Sequence, residues 1–479
     1  MSVTIESFEF RTRPMSTRFP FRYGIAAMTE LPHVFLCLRA VIDGQPCAGL
    51  ASEGLPPKWF TKDATTRFEE DLPQMTQVLE QAAELARGTE AQSLFAFWKE
   101  LYRQQDEWCR AEEIPPLLAH LGTSLVERAL IDAFCRSKGL SFSAALKANT
   151  FGMELGKLHP ELSGYEPADL LPEKSDKNLI ARHTIGLGDP LKDSDIPSGE
   201  RCDDGLPQAL DAVIDHYGLT HFKVKICGDL QTDLARLRAI AALLEEKVPA
   251  YQFTLDGNEQ YPTIGAFREH WEQFLADPAL AVFLGEEHLL FVEQPIHRDH
   301  ALNPEVAEDI RSWEQCPLMI IDESDGEIHS LRSALKIGYR GTSHKNCKGV
   351  FKGIANACLL EHLRRTDDGT WIISGEDLAN VGPIALLNDL AVMAALGVGH
   401  VERNGHHYFS GLSMYPQKLQ DAVCGVHADL YGPSDKGFAT LAIADGLIAA
   451  DSLVSAPFGC GLELSDEILG LLGEAGLPQ

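Results

Sequence analysis

Charged side chains able to do acid–base or metal chemistry recur at one kind of place in this chain, the end of a short apolar string. HFKVKI carries Lys223 and Lys225, FTLD ends in Asp256, LLFVE in Glu293, LMIIDE in Asp322 and Glu323, and GTSHK in Lys345, with Lys348 one helical turn beyond. Three carboxylates converging on one place repel each other, and such a cluster usually persists only around a cation. All-oxygen ligands suit a hard divalent ion, most simply Mg²⁺ with Mn²⁺ as its substitute, which keeps positions open for a substrate oxygen. Taken singly, an acid at a strand end is more often a helix cap or a surface group; three on successive strands are harder to dismiss. A spacing of two puts Lys223 and Lys225 on one face of a strand, with Val224 on the other. Standing alone the pair would read as snorkelled edge lysines. Near other cations and a metal, however, a lysine loses proton affinity and approaches the range in which it serves as a base. Lysines flanking a carboxylate-bound cation suggest removal of a proton next to a substrate carboxylate.

The strings that end in these residues belong to a regular alternation. From Thr220 onward each is followed by a helix-like segment, among them DLQTDLARLRAIAALLEE, AFREHWEQFLADP, FKGIANACLLEHLRR and GPIALLNDLAVMAALG, the first opening on Asp229 as an N-cap. Alternating β and α implies a parallel sheet. With HTIGLG as the first strand and WIISGE and GHVER as the last two there are eight strands, which fits an α/β fold with a closed (β/α)8, TIM-type barrel. In such a barrel catalytic groups stand at the C-terminal strand ends. No strand is followed by a Gly-rich dinucleotide fingerprint; GLGDP after His183 lacks the third Gly. Upstream, LPHVFLCLRAVID closes on Asp43-Gly44, a hairpin signal, and residues 64–146 have the three-and-four spacing of amphipathic helices. The expected domains are an α+β capping domain over 1–150, the barrel over 151–430, and a segment over 431–479 that returns to the cap. A polar stretch from Gly164 to Pro207 reads as a linker around one strand.

Composition sets the class. The 479 residues are 45% hydrophobic and 23% charged, as in ordinary globular proteins, and the net charge of −29 disfavours nucleic acid or an anionic membrane as partner. The N-terminus lacks a secretory pattern and no apolar run reaches the ~18 residues of a spanning helix, so a cytoplasmic protein is expected. Eleven cysteines without C-x-x-C spacing indicate neither a disulfide framework nor a structural zinc site.

The strings FKVKICGD, LDGNEQ, FVEQP, IIDES and SHKNCKG, in that order, resemble the enolase superfamily, on the mandelate racemase and muconate lactonizing enzyme side. The N-terminal FPFRYGIAAMTELPHVFLCLRAVIDG, the helix LVERALIDAF and the C-terminal LAIADGLIAADSLVSAPFGCGLELSDE resemble its capping segments. The resemblance implies that Asp256, Glu293 and Asp322 bind one Mg²⁺. It implies that Lys225 and Lys345 act as acid and base on opposite faces of the substrate, that Lys223 helps neutralise the substrate carboxylate, and that Asn258 and Gln294 support the site. The enolate formed beside a carboxylate needs cations fixed in advance. Return of the proton from the other lysine gives racemisation or epimerisation; loss of a β-substituent gives elimination, or its reverse, cycloisomerisation. The partner is a small-molecule carboxylate, and a homo-oligomer is expected.

Departures from the family pattern narrow the reaction. WIISGEDLANVGP has no His after the seventh strand, and Asn258 stands where mannonate-type dehydratases carry a His. The acid-sugar dehydratase reading is therefore secondary to the opposed-lysine subgroup, and a non-catalytic carboxylate-binding relative is a further alternative. His400-Val401-Glu402-Arg403-Asn404 lacks the Asp-x-Asp of dipeptide epimerases, and no His-x-His supports a zinc hydrolase. Glu323, Glu376 and Glu402 at strand ends, and Arg22 and Tyr23 in the cap, are candidate substrate-side groups. So are Phe21, Gly24 and Lys58-Trp59-Phe60, which fall in the segments that cover the substrate in such relatives. His406 and His407, if extended, would point to opposite sides. Surplus length lies in about 147–200, in 256–293 and in 408–438.

Overall fold

A computed structural model describes residues 1–478. The cap is built on an antiparallel sheet in which Val3–Arg13, His33–Ile42 and Gln45–Gly54 pair in that order. The hairpin between the last two turns on Asp43 and Gly44 at φ 54° and 74°, the left-handed pair that matches strand twist. Helices Phe68–Arg87, Leu94–Ala111 and Pro116–Lys138 cover the sheet, and the last is buried on nearly every side from Leu117 to Cys135. Gly49 meets that helix so closely that a Cβ there would lie 2.0 Å from the Ala129 carbonyl oxygen. Gly49→Ala must push sheet and helix apart, so a loss of about 1–3 kcal/mol from overpacking is expected, read as an earlier denaturant midpoint with unchanged secondary-structure content.

Eight parallel strands form the second domain: Asn178–Ile185, His221–Lys225, Gln252–Asp256, Leu289–Glu293, Met319–Ile320, Gly341–His344, Ile372–Gly375 and His400–Arg403. Each pairs with the next, the eighth pairs with the first, and an isolated bridge between Ile321 and Thr342 joins the fifth to the sixth. The fold is thus the TIM-type barrel with a cap that the alternating strings imply. The helix after the second strand, Leu230–Lys247, begins where expected, the Asp229 carboxylate accepting the Thr232 N–H.

Two details refine the chain path. Residues 431–449 stay on the barrel, where Leu447–Ala449 pairs antiparallel with the first strand; the return to the cap is completed by Glu474–Ala475 beside Val3–Arg13. Buried polar groups also tie cap to barrel. Glu127 of the long cap helix accepts the N–H groups of Val350 and Phe351, at 3.0 and 2.6 Å, the first residues of helix Val350–Thr366. A carboxylate there satisfies orphan donors and faces the positive end of the helix. It fixes the segment that carries Lys345 and Lys348. No helix among the described residues is long and apolar enough to cross a membrane.

Candidate active site

Strand register assembles the site. Lys225 stands opposite Asp256, and Asp256 opposite Glu293, so three neighbouring strands present one row of charged side chains at the barrel mouth. Glu293 pairs with Ile320, and two residues later comes Asp322. Lys345 follows the sixth strand. Around the ring these groups occupy strands two to six, with the two outer lysines four strands apart and therefore across the barrel from each other.

The side chains form one buried network. The Lys223 ammonium, 2% exposed, lies 3.0 Å from Asp256, 2.7 Å from Glu293, 2.7 Å from Glu376 and 3.3 Å from Glu402. Lys225 donates to Asp256 at 2.8 Å and to Asn258 Oδ1 at 2.7 Å. Lys345 donates to Asp322 at 2.5 Å and sits 4.8 Å from the centroid of the Trp59 ring. Lys348 donates to the other Asp322 oxygen at 3.2 Å and to Ser343. Burial works against charge on Lys345, but Asp322 and Glu293 outweigh it and hold the ammonium well above the usual lysine range. Burial likewise raises Asp322, and its lysine neighbours overcome that and hold it well below the carboxylate range.

Among the described residues no three His, Cys, Asp or Glu side chains stand as a finished metal cage. Between Asp256, Glu293 and Asp322 the positive charge is supplied by Lys223 and Lys345. The donor set nevertheless fits a hard cation. All three carboxylates are 1% exposed or less, and neither oxygen of Glu293 accepts a well-formed hydrogen bond, although Lys223 is close. Burial, and then Glu376, push the Glu293 carboxyl well above its ordinary range, the state of an acid short of positive charge.

The supporting residues divide by role. Gln294 accepts the N–H groups of Asp322 and Ser324 and donates to Ile296 O and Ser324 Oγ, so it shapes the loop that bears Asp322 and does not line the cavity. Asn258 lines the cavity and holds Lys225. Asn258, Glu259 and Gln294 all have φ between 36° and 61°, a left-handed strain concentrated beside the acidic row. Glu323 is buried with Oε2 unpartnered, and burial together with Asp322 and Glu259 pushes it up to about 8. Glu376 is held by Arg182 and Lys223, which outweigh its burial and keep it ionised. Glu402 accepts from Thr184 at 2.7 Å and from Asp377 N at 2.9 Å while facing the cavity.

The cap closes the mouth with Phe21, Tyr23, Met28, Pro56 and Trp59, leaving a cleft with ≈ 400 Å³ of empty space. Tyr23 therefore joins the site. Arg22 does not: its side chain turns outward to Glu200 at 2.8 Å, because alternate residues of strand Ser16–Tyr23 face opposite ways. The two adjacent His residues differ from expectation as well. Gly405–Tyr408 is a helical turn, and His406 and His407 both pack on His183, with ring centroids 5.2 and 4.8 Å away. Sequence reasoning passed over Arg182, the counter-ion of Glu376, whose signal was a lone Arg inside the apolar string ARHTIGLG. It also passed over Leu378 and Ala379 of the loop after the seventh strand, which carry no charge to draw attention.

No protein-family model and no curated protein matches the sequence. Solved structures do match along nearly the whole chain. An enolase from Bradyrhizobium complexed with magnesium and mandelic acid is 14% identical over 98% of each chain, with a TM-score of 0.58. A muconate lactonizing enzyme from Pseudomonas fluorescens complexed with muconolactone is 18% identical over 98% of each chain, TM-score 0.56. A dipeptide epimerase from Methylococcus capsulatus complexed with Mg and a dipeptide is 16% identical over 93% of this chain and 99% of its own, TM-score 0.52. At such identities the likeness is one of fold: this chain shares the capped barrel of these enolase, muconate lactonizing enzyme and dipeptide epimerase structures.

Proposed function

We propose that this chain is an isomerase-type member of the enolase superfamily that removes the proton α to a substrate carboxylate with opposed lysines and a bound Mg²⁺. The observation that carries the reading is the order around the ring: Lys225 on strand two, Asp256, Glu293 and Asp322 at strands three to five, Lys345 after strand six. The magnesium in two of the matching structures supports the cation.

Asp256, Glu293 and Asp322 would hold the ion, which would supply a fixed positive charge to stabilise an enolate. The lysines do the proton transfer. In the arrangement seen, Asp322 keeps Lys345 protonated; with Asp322 holding a cation instead, Lys345 would be free to act as base. Lys225, held by Asn258, then stands across the barrel to deliver a proton to the other face. Lys223, below them, adds positive charge near the substrate carboxylate. Phe21, Met28, Trp59 and Leu378 offer the rest of the substrate an apolar wall, favouring an uncharged substituent. Racemisation, epimerisation and cycloisomerisation all use these groups. Elimination of the acid-sugar type is disfavoured because the seventh strand is followed by Glu376, engaged by Arg182, in place of a His base.

The test is to incubate the protein with Mg²⁺ and a library of carboxylic acids in D₂O and follow exchange of the α-proton by NMR. Exchange with one class of acid is expected. No exchange with any acid, together with no Mg²⁺ binding, overturns the reading. A supporting result is expected from Gln294→Ala, which strips the acceptor from Asp322 N–H. Groups that orient a metal ligand typically contribute 10–100-fold to affinity, so Mg²⁺ titration should show a loss of about that size with the barrel still folded.

A further inference from the structure

Behind the active-site wall lies a second cavity that the proposed reaction does not use. It is enclosed by the loop after the seventh strand (Asn380 to Gly382), the end of the eighth strand and the turn that follows it (Arg403, Gly405, His406), and the segment 411–441, most of which lies in the surplus length 408–438, through Leu412, Tyr431 and Leu441. Its contents are unusual for so buried a place. Arg403 is 1% exposed, and neither Nη1 nor Nη2 finds a hydrogen-bond acceptor among the described residues. The nearest carboxylate, Asp377, is 3.5 Å from Nη2 and already accepts the backbone N–H groups of Asn380, Asn404 and Gly405. The Tyr431 hydroxyl, on a residue 4% exposed, is also unpartnered, as is His406 Nδ1. His406 Nε2 is 3.2 Å from His183 Nδ1; the tautomer in which His183 donates leaves a proton on His406 Nδ1.

Arg403 Nε donates to the Glu402 carbonyl oxygen, but its two buried Nη groups and the Tyr431 hydroxyl are left without a hydrogen-bond acceptor, which is costly. Arg fixes planar oxyanions with two parallel N–H groups. We infer that this cavity is an internal site for a small planar oxyanion of the carboxylate or bicarbonate class, held by the Arg403 fork and the Tyr431 hydroxyl. Its empty space, ≈ 420 Å³ beside the ≈ 400 Å³ of the active-site cleft, leaves room for a small ion between these groups. Asn380 Oδ1, unpartnered as well, would accept from the hydroxyl of bicarbonate, whereas formate has no donor for it. The site matters to the barrel mouth because one loop serves both sides. Leu378 and Ala379 face the active-site cleft, and Asn380, Val381 and Gly382 face this cavity. An anion here braces that wall.

Formate and bicarbonate, with chloride as the ionic-strength control, are titrated separately into the full-length protein and into Tyr431→Phe, and crystals are soaked in each. Tyr431→Phe removes an oxygen that bonds nothing, so it should fold normally. The expected result is a rise in thermal midpoint with formate or bicarbonate and not chloride, an affinity weakened roughly ten- to hundredfold by Tyr431→Phe, and planar density on the Arg403 Nη atoms. Preference for bicarbonate identifies that ion as occupant; preference for formate identifies a carboxylate. Water alone at Arg403 in the soaked crystals, or binding unaffected by Tyr431→Phe with density only among the active-site lysines, overturns the inference.

Discussion

Alanine at Lys225 or at Lys345 should lower turnover of the substrate found by exchange by about 10²–10⁴-fold, the usual contribution of a positioned acid or base. The more telling result is stereochemical. Each lysine reaches one face, so each variant should lose α-proton exchange with one enantiomer and retain some with the other, and the two variants should be mirror images in this respect. The geometry supports this because Lys225 and Lys345 follow strands two and six, opposite each other, and each ends on a different carboxylate, Asp256 or Asp322. Loss of exchange with both enantiomers in each variant would mean that one lysine acts through the other. Retention of full rate in either variant would remove that residue from the chemistry. Lys345→Ala also gives up an ion pair and the contact with Trp59, so its thermal midpoint and Mg²⁺ affinity must be compared with those of Lys225→Ala before the rates are.

The barrel and its acidic row were legible because both are written in short-range patterns. The strand strings are apolar runs closed by a charged residue, and spacing by two fixes which side chains share a face. Lys223 and Lys225 could be placed together from that rule alone. What could not be read was set by long-range packing. Arg22 and Tyr23 are neighbours on one cap strand, so only one can face the barrel, and the sequence does not say which. His406 and His407 were expected on extended chain, but the turn Gly405–Tyr408 wraps them both onto His183, some 220 residues earlier. Arg182 gave only the weak signal of a charge inside an apolar string; its role depends on Glu376 arriving from a strand nearly 200 residues later. The surplus segment 408–438 carried no chemical signature, yet with residues 439–441 it walls the cavity at Arg403.

Glu293→Gln should separate the metal's contribution from that of the fold, and its two effects should have opposite signs. Gln keeps the size of Glu293 and removes a buried negative charge. In the metal-free protein that charge is poorly satisfied: its oxygens accept no well-formed hydrogen bond, and burial with Glu376 pushes the carboxyl toward its protonated form. A group left in that state contributes little to stability, and replacing it by a neutral amide is expected to leave the thermal midpoint unchanged or slightly raised in EDTA. With Mg²⁺ the order should reverse. An ion that binds only the folded protein stabilises it by about 2.7 kcal/mol at a hundredfold excess over Kd, so the parent protein should gain a clear upward shift and Glu293→Gln should gain almost none. α-Proton exchange should vanish with that shift, because the enolate would then lack the fixed dication. An equal Mg²⁺-dependent shift in parent and variant would show that the ion binds elsewhere, and the row Asp256, Glu293, Asp322 would then have to be read as a set of lysine counter-ions rather than a metal site. A variant that unfolds in EDTA would show instead that Glu293 is needed by Lys223, which loses one of its four carboxylate partners in the exchange.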